Sequence, residues 1–186
     1  MEWIAPPLPG AALHRLTRAE YDEMTRLGCF RDKRFELLHG LLVDMSPRDV
    51  LHTFPIQKLN RLLRALGDRA DVRVQMPLAL SADSEPEPDL AVVALRDYLD
   101  EHPRTAFLVV EVANSSMVED RLKARLYAEA GIPEYWVVDV QGRRVERYLA
   151  PAGGAYAQCT IHPRGDTLAL DSFPDVVIPL AAILPP

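Results

Sequence analysis

The chain has 186 residues, a length typical of a single domain that buries its own hydrophobic core. Hydrophobic residues make up 48% and charged residues 26%, as in soluble globular proteins, and no apolar run reaches the roughly 18–20 residues that cross a bilayer. This excludes a fibrous, largely disordered or transmembrane chain, and the formal charge of −6 gives no overall attraction for a polyanion such as nucleic acid.

The amino-terminal part of the chain predicts a helix followed by a hairpin. Residues 1–12 have neither a basic start nor a continuous apolar stretch, so they do not resemble a secretory signal, and we expect a cytoplasmic protein. Thr17 and Glu20 have the spacing of a capping box, which predicts a helix that ends near Gly28. The segment RFELLHGLLVDM then predicts two short strands around a His-Gly turn at 39–40.

The middle of the chain predicts a helix and three strands. From Leu51 onward apolar residues recur at intervals of three and four, the pattern of an amphipathic helix that ends near Gly67. The segments VRVQMPLAL at 72–80 and LAVVAL at 90–95 are typical of strands. The nearly continuous apolar run FLVVEV at 107–112 predicts a central strand that is covered on both faces.

The rest of the chain completes a mixed α/β pattern. A helix is predicted over 117–130, a buried strand over 134–140, and further short strands between 143 and 180. A strand, a helix and a strand in this order predict an α/β fold with a mixed sheet. We expect a single domain over 1–186, with its core at about 17–150.

The cysteines and the basic residues are weaker signals. Cys29 and Cys159 stand far apart and form no C-x-x-C pair, so we expect buried free thiols rather than zinc ligands. A local basic face for nucleic acid would have to come from the segments 61–73 or 121–125, although such clusters are also typical of solvated helix surfaces.

Three carboxylates interrupt segments that otherwise have the composition of a core: Glu36, Asp89 and Glu111. A buried carboxylate is costly unless it is paired, protonated or bound to a metal ion. Glu36 could instead lie on the open face of the hairpin and Asp89 in a turn, but Glu111 is flanked by valines in the predicted central strand. Lys123, one helical turn before Tyr127, could reach solvent or point back at these acids, and Tyr127 itself is assigned to the core.

Acids of this kind with a nearby lysine suit the hydrolysis of a phosphodiester. Hard divalent cations such as Mg²⁺ prefer carboxylate oxygens and water as ligands. A bound metal ion lowers the pKa of a water molecule and stabilises the charge that develops on the phosphate. A lysine beside the attacking water can orient it or help to remove its proton.

Several ordered motifs then point to a family. They are ELLHGLLVDMSP at 36–47, His52, PDL at 88–90, EVANSS at 111–116, the D-x-x-K-x-x-x-Y pattern of Asp120, Lys123 and Tyr127, and AGIPEYWVVDV at 130–140. Together they resemble the Uma-type restriction endonuclease family, a group within the PD-(D/E)XK nuclease superfamily. The resemblance spans roughly residues 17–150 and is far more specific than a Pro-Asp pair alone.

The resemblance implies a restriction endonuclease-like fold, in which α-helices flank a mixed β-sheet. It also implies a metal site in which Asp89 and Glu111 bind Mg²⁺ or Mn²⁺ beside the carbonyl of Val112. Glu36 would add a further acid to this catalytic site.

The chain departs from the superfamily pattern at the lysine. The superfamily normally places it two residues after the second acid, where this chain has Ala113, so Lys123 would act from the adjacent helix instead. Gln75 resembles a polar residue on the strand before the Pro-Asp motif, or it is an exposed strand residue. His52 contacts a phosphate or lines the site, or it has a capping or surface role.

Three functions remain open at this point. The first is a Mg²⁺- or Mn²⁺-dependent endonuclease that acts on DNA, as a homodimer because double-strand cleavage needs two active sites. The second is a catalytically silent protein of the same fold that binds nucleic acid or a protein partner, favoured if Lys123 points to solvent or the acids lie too far apart to share a metal ion. The third, a glycosidase, is disfavoured because sugar grooves are rich in aromatic residues and this chain is only 7% aromatic.

Overall fold

The computed structural model describes residues 13–31, 33–45, 49–114 and 117–186. The helices are α1 (Arg18–Arg26), α2 (Val50–Leu62), α3 (Met117–Glu129) and α4 (Leu180–Ile183), and a 3₁₀ helix (Leu63–Arg69) follows α2. The strands are β1 (Phe35–Leu38), β2 (Leu41–Asp44), β3 (Asp71–Val74), β4 (Leu90–Val93), β5 (Leu108–Ala113), β6 (Glu134–Asp139), β7 (Arg144–Ala152), β8 (Ala155–Pro163), β9 (Thr167–Ala169) and β10 (Val177–Pro179).

A six-stranded mixed sheet in the order β3-β4-β5-β6-β7-β8 forms the centre of the molecule. β5 and β6 run parallel and are connected by α3, whereas all other neighbours in this sheet are antiparallel. Every residue of β5 is buried, which confirms the predicted central strand. The predicted α/β fold with helices around a mixed sheet is therefore confirmed.

The two faces of the sheet are covered by different parts of the chain. α2, the 3₁₀ helix and the carboxyl-terminal residues from β9 to α4 pack on one face, around Val110, Val112 and Trp136. α3 packs on the other face, around Val109, Tyr127 and Tyr135. Because side chains alternate along β5, Glu111 points to the α3 face.

The amino-terminal prediction is confirmed in detail. Thr17 caps α1 and forms the predicted capping box with Glu20. β1 and β2 form the predicted hairpin, and its turn residues His39 and Gly40 have φ angles of 48° and 76°. A Cβ atom at Gly40 would lie 2.6 Å from the Cβ of Arg15, so this turn requires glycine.

Several predicted boundaries are wrong. The strand predicted over 72–80 ends at Val74, because Gln75 adopts a φ of 54° and turns the chain away. The helix predicted to end near Gly67 is an α-helix only up to Leu62, and the 3₁₀ helix that follows is interrupted at Gly67, where φ is 55°. The last part of the chain forms strands as predicted, but two of them are nine residues long and belong to the main sheet, and α4 was not predicted.

The cysteine prediction is wrong as well. Cys29 and Cys159 are free thiols, but both are exposed rather than buried. Cys29 follows α1 in a turn, and Cys159 lies on β8, the last strand of the sheet.

Candidate active site

Asp89 lies just before β4 and is held from three sides. Its Oδ2 accepts a hydrogen bond from the backbone N–H of Val112 at 2.9 Å and lies 2.9 Å from Nε2 of His52. Its Oδ1 accepts a hydrogen bond from Nε2 of Gln75 at 3.2 Å. Leu90 pairs with Val110 across the sheet, so the register places Asp89 beside Glu111. Asp89 is therefore a carboxylate held in place at the end of the sheet, in the bend that leads into β4.

Lys123 links the other two acids. Its Nζ lies 2.8 and 3.0 Å from the carboxylate oxygens of Glu36 and 3.1 Å from Oε1 of Glu111. Because α3 begins soon after β5 ends, it crosses over that strand and can present Lys123 to Glu111. The lysine side chain is 12% exposed, so it points to the acids and not to solvent.

Glu36 reaches this cluster from the hairpin. Its side chain is buried, and its Oε2 also accepts a hydrogen bond from the backbone N–H of Glu87 at 3.2 Å. The hairpin is fixed to the segment before β4 by paired backbone hydrogen bonds between Leu37 and Glu85. Glu36 therefore does not lie on an open hairpin face.

Tyr127 belongs to the core, as predicted, but it also contacts the acids. Its ring is fully buried and its hydroxyl donates a hydrogen bond to Oε1 of Glu111 at 2.8 Å. Lys123 and Tyr127 are four residues apart, which places them on one face of α3. The D-x-x-K-x-x-x-Y spacing could therefore have predicted this contact, but the assignment of Tyr127 to the core did not take it into account.

The start of α2 positions His52. Asp49 caps this helix by accepting a hydrogen bond from the N–H of His52 at 2.8 Å. Its second oxygen accepts a hydrogen bond from Nδ2 of Asn114, just after β5, at 2.6 Å. Asp49 and Asn114 thereby fix the start of α2 to the end of β5. Neither was predicted to have a role in the site.

The electrostatics of the cluster follow from burial and from the excess of acids. Burial raises the pKa of Glu111 to about 8, with further increases from Asp89, Asp120 and Glu36, although Lys123 opposes the shift. Burial lowers the pKa of Lys123, but attraction by Glu111 and Glu36 outweighs it and raises the pKa above its usual value. Both acids therefore favour the ammonium form of Lys123.

The donor atoms at this site fit a hard divalent cation. Glu36 and Glu111 contact one ammonium group, and the sheet register places Asp89 beside Glu111, so three acids lie near a single lysine. Within the described ranges, no group of three or more His, Cys, Asp or Glu side chains is placed to hold a metal ion by itself. Mg²⁺ commonly uses one or two carboxylates and retains several waters, so Asp89, Glu111 and the peptide carbonyl of Val112 are a suitable set of oxygen donors.

Some of the basic residues expected to form a nucleic-acid face are neutralised by acids. Arg69 pairs with Asp175, Arg121 with Glu146 and Arg125 with Glu129. The segment 121–125 is therefore not a free basic face, since Lys123 lies in the acidic cluster.

A basic groove of about 500 Å³ lies instead between α2 and α4. Lys58, Arg61 and Arg164 line it, and no Asp or Glu side chain is among its lining residues in the described part of the chain. The guanidinium group of Arg164 donates hydrogen bonds to the carbonyls of Pro185 and Ala181, which leaves its charge uncompensated. Arg164 was not predicted to belong to a basic surface.

Comparison with solved structures defines the class of fold. A protein from Anabaena variabilis ATCC 29413, described as a putative nuclease belonging to DUF820, matches with a TM-score of 0.73 over 90% of this chain and 97% of that chain, at 12% sequence identity. The two proteins thus share one fold. The type IIG restriction endonuclease BpuSI also matches, with a TM-score of 0.41 and 15% identity, over 64% of this chain and 14% of that chain.

Comparison with family models identifies the family. Residues 18–181 match the model of Uma2, described as "Putative restriction endonuclease", and the chain belongs to this family. The resemblance seen in the sequence is thereby confirmed, and membership of this family supports a nuclease. No curated protein matches the chain. In the described part of the chain, every helix is too short or too polar to cross a membrane.

Proposed function

We propose that the protein is a Mg²⁺- or Mn²⁺-dependent endonuclease that hydrolyses phosphodiester bonds in DNA. The observation that carries this proposal is the bridging of Glu36 and Glu111 by Lys123, with Asp89 beside Glu111 at one end of the sheet, in a chain of the Uma2 family. Three buried carboxylates at one place are costly without a cation, and phosphodiester hydrolysis supplies a role for that cation.

In this proposal the metal ion is held by Asp89, Glu111 and the carbonyl of Val112. When bound, it provides the acidity that converts a water molecule into a nucleophile at neutral pH, and it offsets negative charge on the phosphate. His52, Gln75 and the N–H of Val112 keep the carboxylate of Asp89 in one orientation. Orientation by neighbouring groups of this kind is what sustains metal affinity in proteins.

Lys123 acts as a fixed cation. Glu36 and Glu111 hold its ammonium group in place, so it can donate a hydrogen bond to the attacking water or to a phosphate oxygen. Glu36 is a positioning residue, because it acts through Lys123. Tyr127 positions Glu111 through its hydroxyl.

The proposed substrate is DNA, and the proposed assembly is a homodimer. DNA is favoured over a neutral substrate because the basic groove offers three cations that can contact the phosphate backbone. A homodimer supplies two sites for cleavage of both strands.

The first test is a calorimetric titration of the wild-type protein and of Asp89→Ala with Mn²⁺, which requires no knowledge of the substrate. We expect binding by the wild type and its loss in Asp89→Ala, with Asp97→Ala as a control because Asp97 is exposed and remote from the acids. Circular dichroism checks that each variant is folded. Equal binding by the wild type and Asp89→Ala would contradict the metal site.

The second test is cleavage of plasmid and oligonucleotide DNA in the presence of Mg²⁺ or Mn²⁺. Asp89→Ala should abolish cleavage while Asp97→Ala cleaves like the wild type. Cleavage that persists in a folded Asp89→Ala protein would rule out the assigned site. Mn²⁺ binding without cleavage of any DNA would instead favour a silent protein of this fold.

A further inference from the structure

Exposed apolar side chains stand next to residues of the candidate active site in several segments of the chain. We call the following six residues the apolar rim: Val43, Val50, Leu51, Met76, Val118 and Leu122. Val50 is 82% exposed, Leu122 is 71% exposed and Met76 is 46% exposed. Isolated exposed apolar residues are ordinary in a soluble protein, but a group of them around one site indicates a surface that binds something.

The rim residues lie next to the residues of the site. Val43 is the cross-strand partner of Glu36 in the hairpin, so the two side chains share one face. Leu51 directly precedes His52, and Leu122 directly precedes Lys123.

Met76 directly follows Gln75, so a fourth site residue has an exposed apolar neighbour. The starts of α2 and α3 lie at the same end of the sheet, because Asp49 is hydrogen-bonded to Asn114 at the end of β5. Four separate segments that contribute to the site thus also carry an exposed apolar side chain.

The cationic side chains close to the site are already paired with acids, so they are less available to bind a phosphate backbone there. Lys123 is held by Glu36 and Glu111. Arg34, two residues before Glu36, is paired with Glu87, and Arg121, two residues before Lys123, is paired with Glu146. The surroundings of the site thus combine paired cations with exposed apolar side chains, whereas an intact duplex has its phosphates on the outside and keeps its bases stacked inside.

Aliphatic side chains such as Leu and Met contact nucleic acid by packing against bases, or by entering between base steps that have been unstacked. Bases are available in this way when they are unpaired, and an enzyme that opens a duplex must itself supply the energy of unstacking. The apolar rim is therefore suited to nucleosides with exposed base faces on either side of the scissile phosphate.

We propose that the apolar rim binds unpaired bases, so that the site prefers DNA that is single-stranded or locally unpaired at the cleavage position over fully paired duplex. This inference rests on the proposed nuclease function and narrows its substrate class. The basic groove would bind the backbone further away, since Lys58 and Arg61 lie about 9 and 14 Å beyond His52 along the axis of α2.

The test compares three fluorescent oligonucleotides of one sequence: a perfect duplex, a duplex with a central unpaired bubble, and the single strand. Binding is measured by fluorescence anisotropy in EDTA, so that neither metal binding nor cleavage affects the result. We expect the bubble and the single strand to bind about tenfold more tightly than the duplex, because their bases are already unstacked.

The variants Leu122→Gln and Met76→Gln should each reduce the preference for unpaired over duplex DNA. The double variant should reduce it to about twofold or less, while its affinity for the duplex changes little. Leu99→Gln is the matched control, because Leu99 is 89% exposed and outside the rim. The three side chains in these comparisons, Leu122, Met76 and Leu99, lie on the surface, so the variants should fold like the wild type.

Three outcomes would overturn the inference. Equal or tighter binding of the perfect duplex would show that the rim does not select unpaired bases. A preference that Leu122→Gln with Met76→Gln leaves unchanged would place the selection elsewhere. If a rim variant changes the mass of the protein in sedimentation but not its preference for unpaired DNA, the rim is a contact between copies of the protein. Failure of the nuclease proposal would be recognised separately, as loss of Mn²⁺ binding or of cleavage.

Discussion

Tyr127 fixes one acid of the candidate site by a single hydrogen bond from a ring that is otherwise packed in the core. Its hydroxyl donates to Oε1 of Glu111, and burial raises the pKa of Tyr127 well above its usual value, so the hydroxyl remains a donor over the working range of the protein. A buried donor of this kind restricts where Glu111 can lie.

Tyr127→Phe should therefore weaken Mn²⁺ binding about tenfold, because neighbours that orient a metal ligand contribute on this scale. The ring keeps its packing, so the midpoint of thermal unfolding in EDTA should change by only a few degrees. Calorimetry measures the affinity. Tyr156→Phe is a control, because the hydroxyl of Tyr156 contacts the carbonyl of Ile132 instead. Unchanged Mn²⁺ affinity in Tyr127→Phe would contradict the positioning role.

Lys123 neutralises charge that is buried with it. Lys123→Met should lower the free energy of unfolding at neutral pH by about 3–5 kcal/mol, since removing one partner leaves buried carboxylates without a counter-charge. Urea denaturation in EDTA measures this loss. Lys58→Met is the comparison, because Lys58 contacts the ring of Phe54 and forms no ion pair among the described residues.

Combining Lys123→Met with Glu36→Gln and Glu111→Gln should restore much of the lost stability, because the charges are then removed together. If Lys123→Met alone unfolds at the same urea concentration as the wild type, the three groups do not interact strongly.

The sequence identified the acids but not their surroundings. Glu36, Asp89 and Glu111 could be selected because an acid within an apolar segment is costly wherever it is buried. The direction of Lys123 could not be determined, because the sequence of a helix does not fix its rotation against a sheet. The contact of Gln75 with Asp89 depends on a positive φ at a residue that rarely adopts one, and no local pattern predicts that.

At the scale of elements, the hairpin and α1 meet at a buried acid, Glu85. Burial raises the pKa of Glu85 to about 7 from a usual 4.5; Asp22 increases the shift, and Arg18, 3.8 Å away, opposes it. Tyr21 of α1 and His102 also lie near this group.

Because the folded chain binds this proton more tightly than the unfolded chain, the free energy of unfolding should fall as the pH rises from about 4.5 to about 7. Glu85→Gln should remove this part of the pH dependence and be more stable than the wild type at pH 8, by up to about 3 kcal/mol. Urea denaturation at several pH values measures the difference. Glu119→Gln, at an exposed position, controls for the lost charge. Parallel pH profiles for the wild type and Glu85→Gln would contradict the assignment.

Elements were predicted well where their patterning is local. The capping box at Thr17 and the His-Gly turn at 39–40 depend on neighbouring residues, and both were confirmed. The lengths of β7 and β8 depend on pairing with each other across the sheet, which the sequence of either strand alone does not contain. Cys159 was assigned to the interior because cysteine is usually buried, but it lies on an edge strand.

At the scale of the whole molecule, the net charge of −6 opposes the binding of DNA in the basic groove. If Lys58 and Arg61 contact phosphates, replacing both with glutamine should weaken binding of every DNA sequence to a similar extent. The slope of log affinity against log salt concentration should become shallower by about two, one for each lost contact. Anisotropy titrations at several salt concentrations in EDTA measure this slope.

Arg125→Gln is the control for this experiment, because Arg125 is exposed and already paired with Glu129. A slope that Lys58→Gln with Arg61→Gln leaves unchanged would mean that DNA follows another path over the protein.

The hairpin forms a two-stranded sheet of its own, attached to the rest of the molecule mainly through Leu37, Gly40 and Glu36. Small units of this kind can open while the remaining structure stays folded. Opening of the hairpin would separate Glu36 from Lys123. Asp89 and Glu111 would remain side by side, because β4 and β5 stay paired in the main sheet. In native-state hydrogen exchange, the amides of β1 and β2 should therefore lose protection at a lower free energy than those of β5. Such a partly open form would retain two of the three acids.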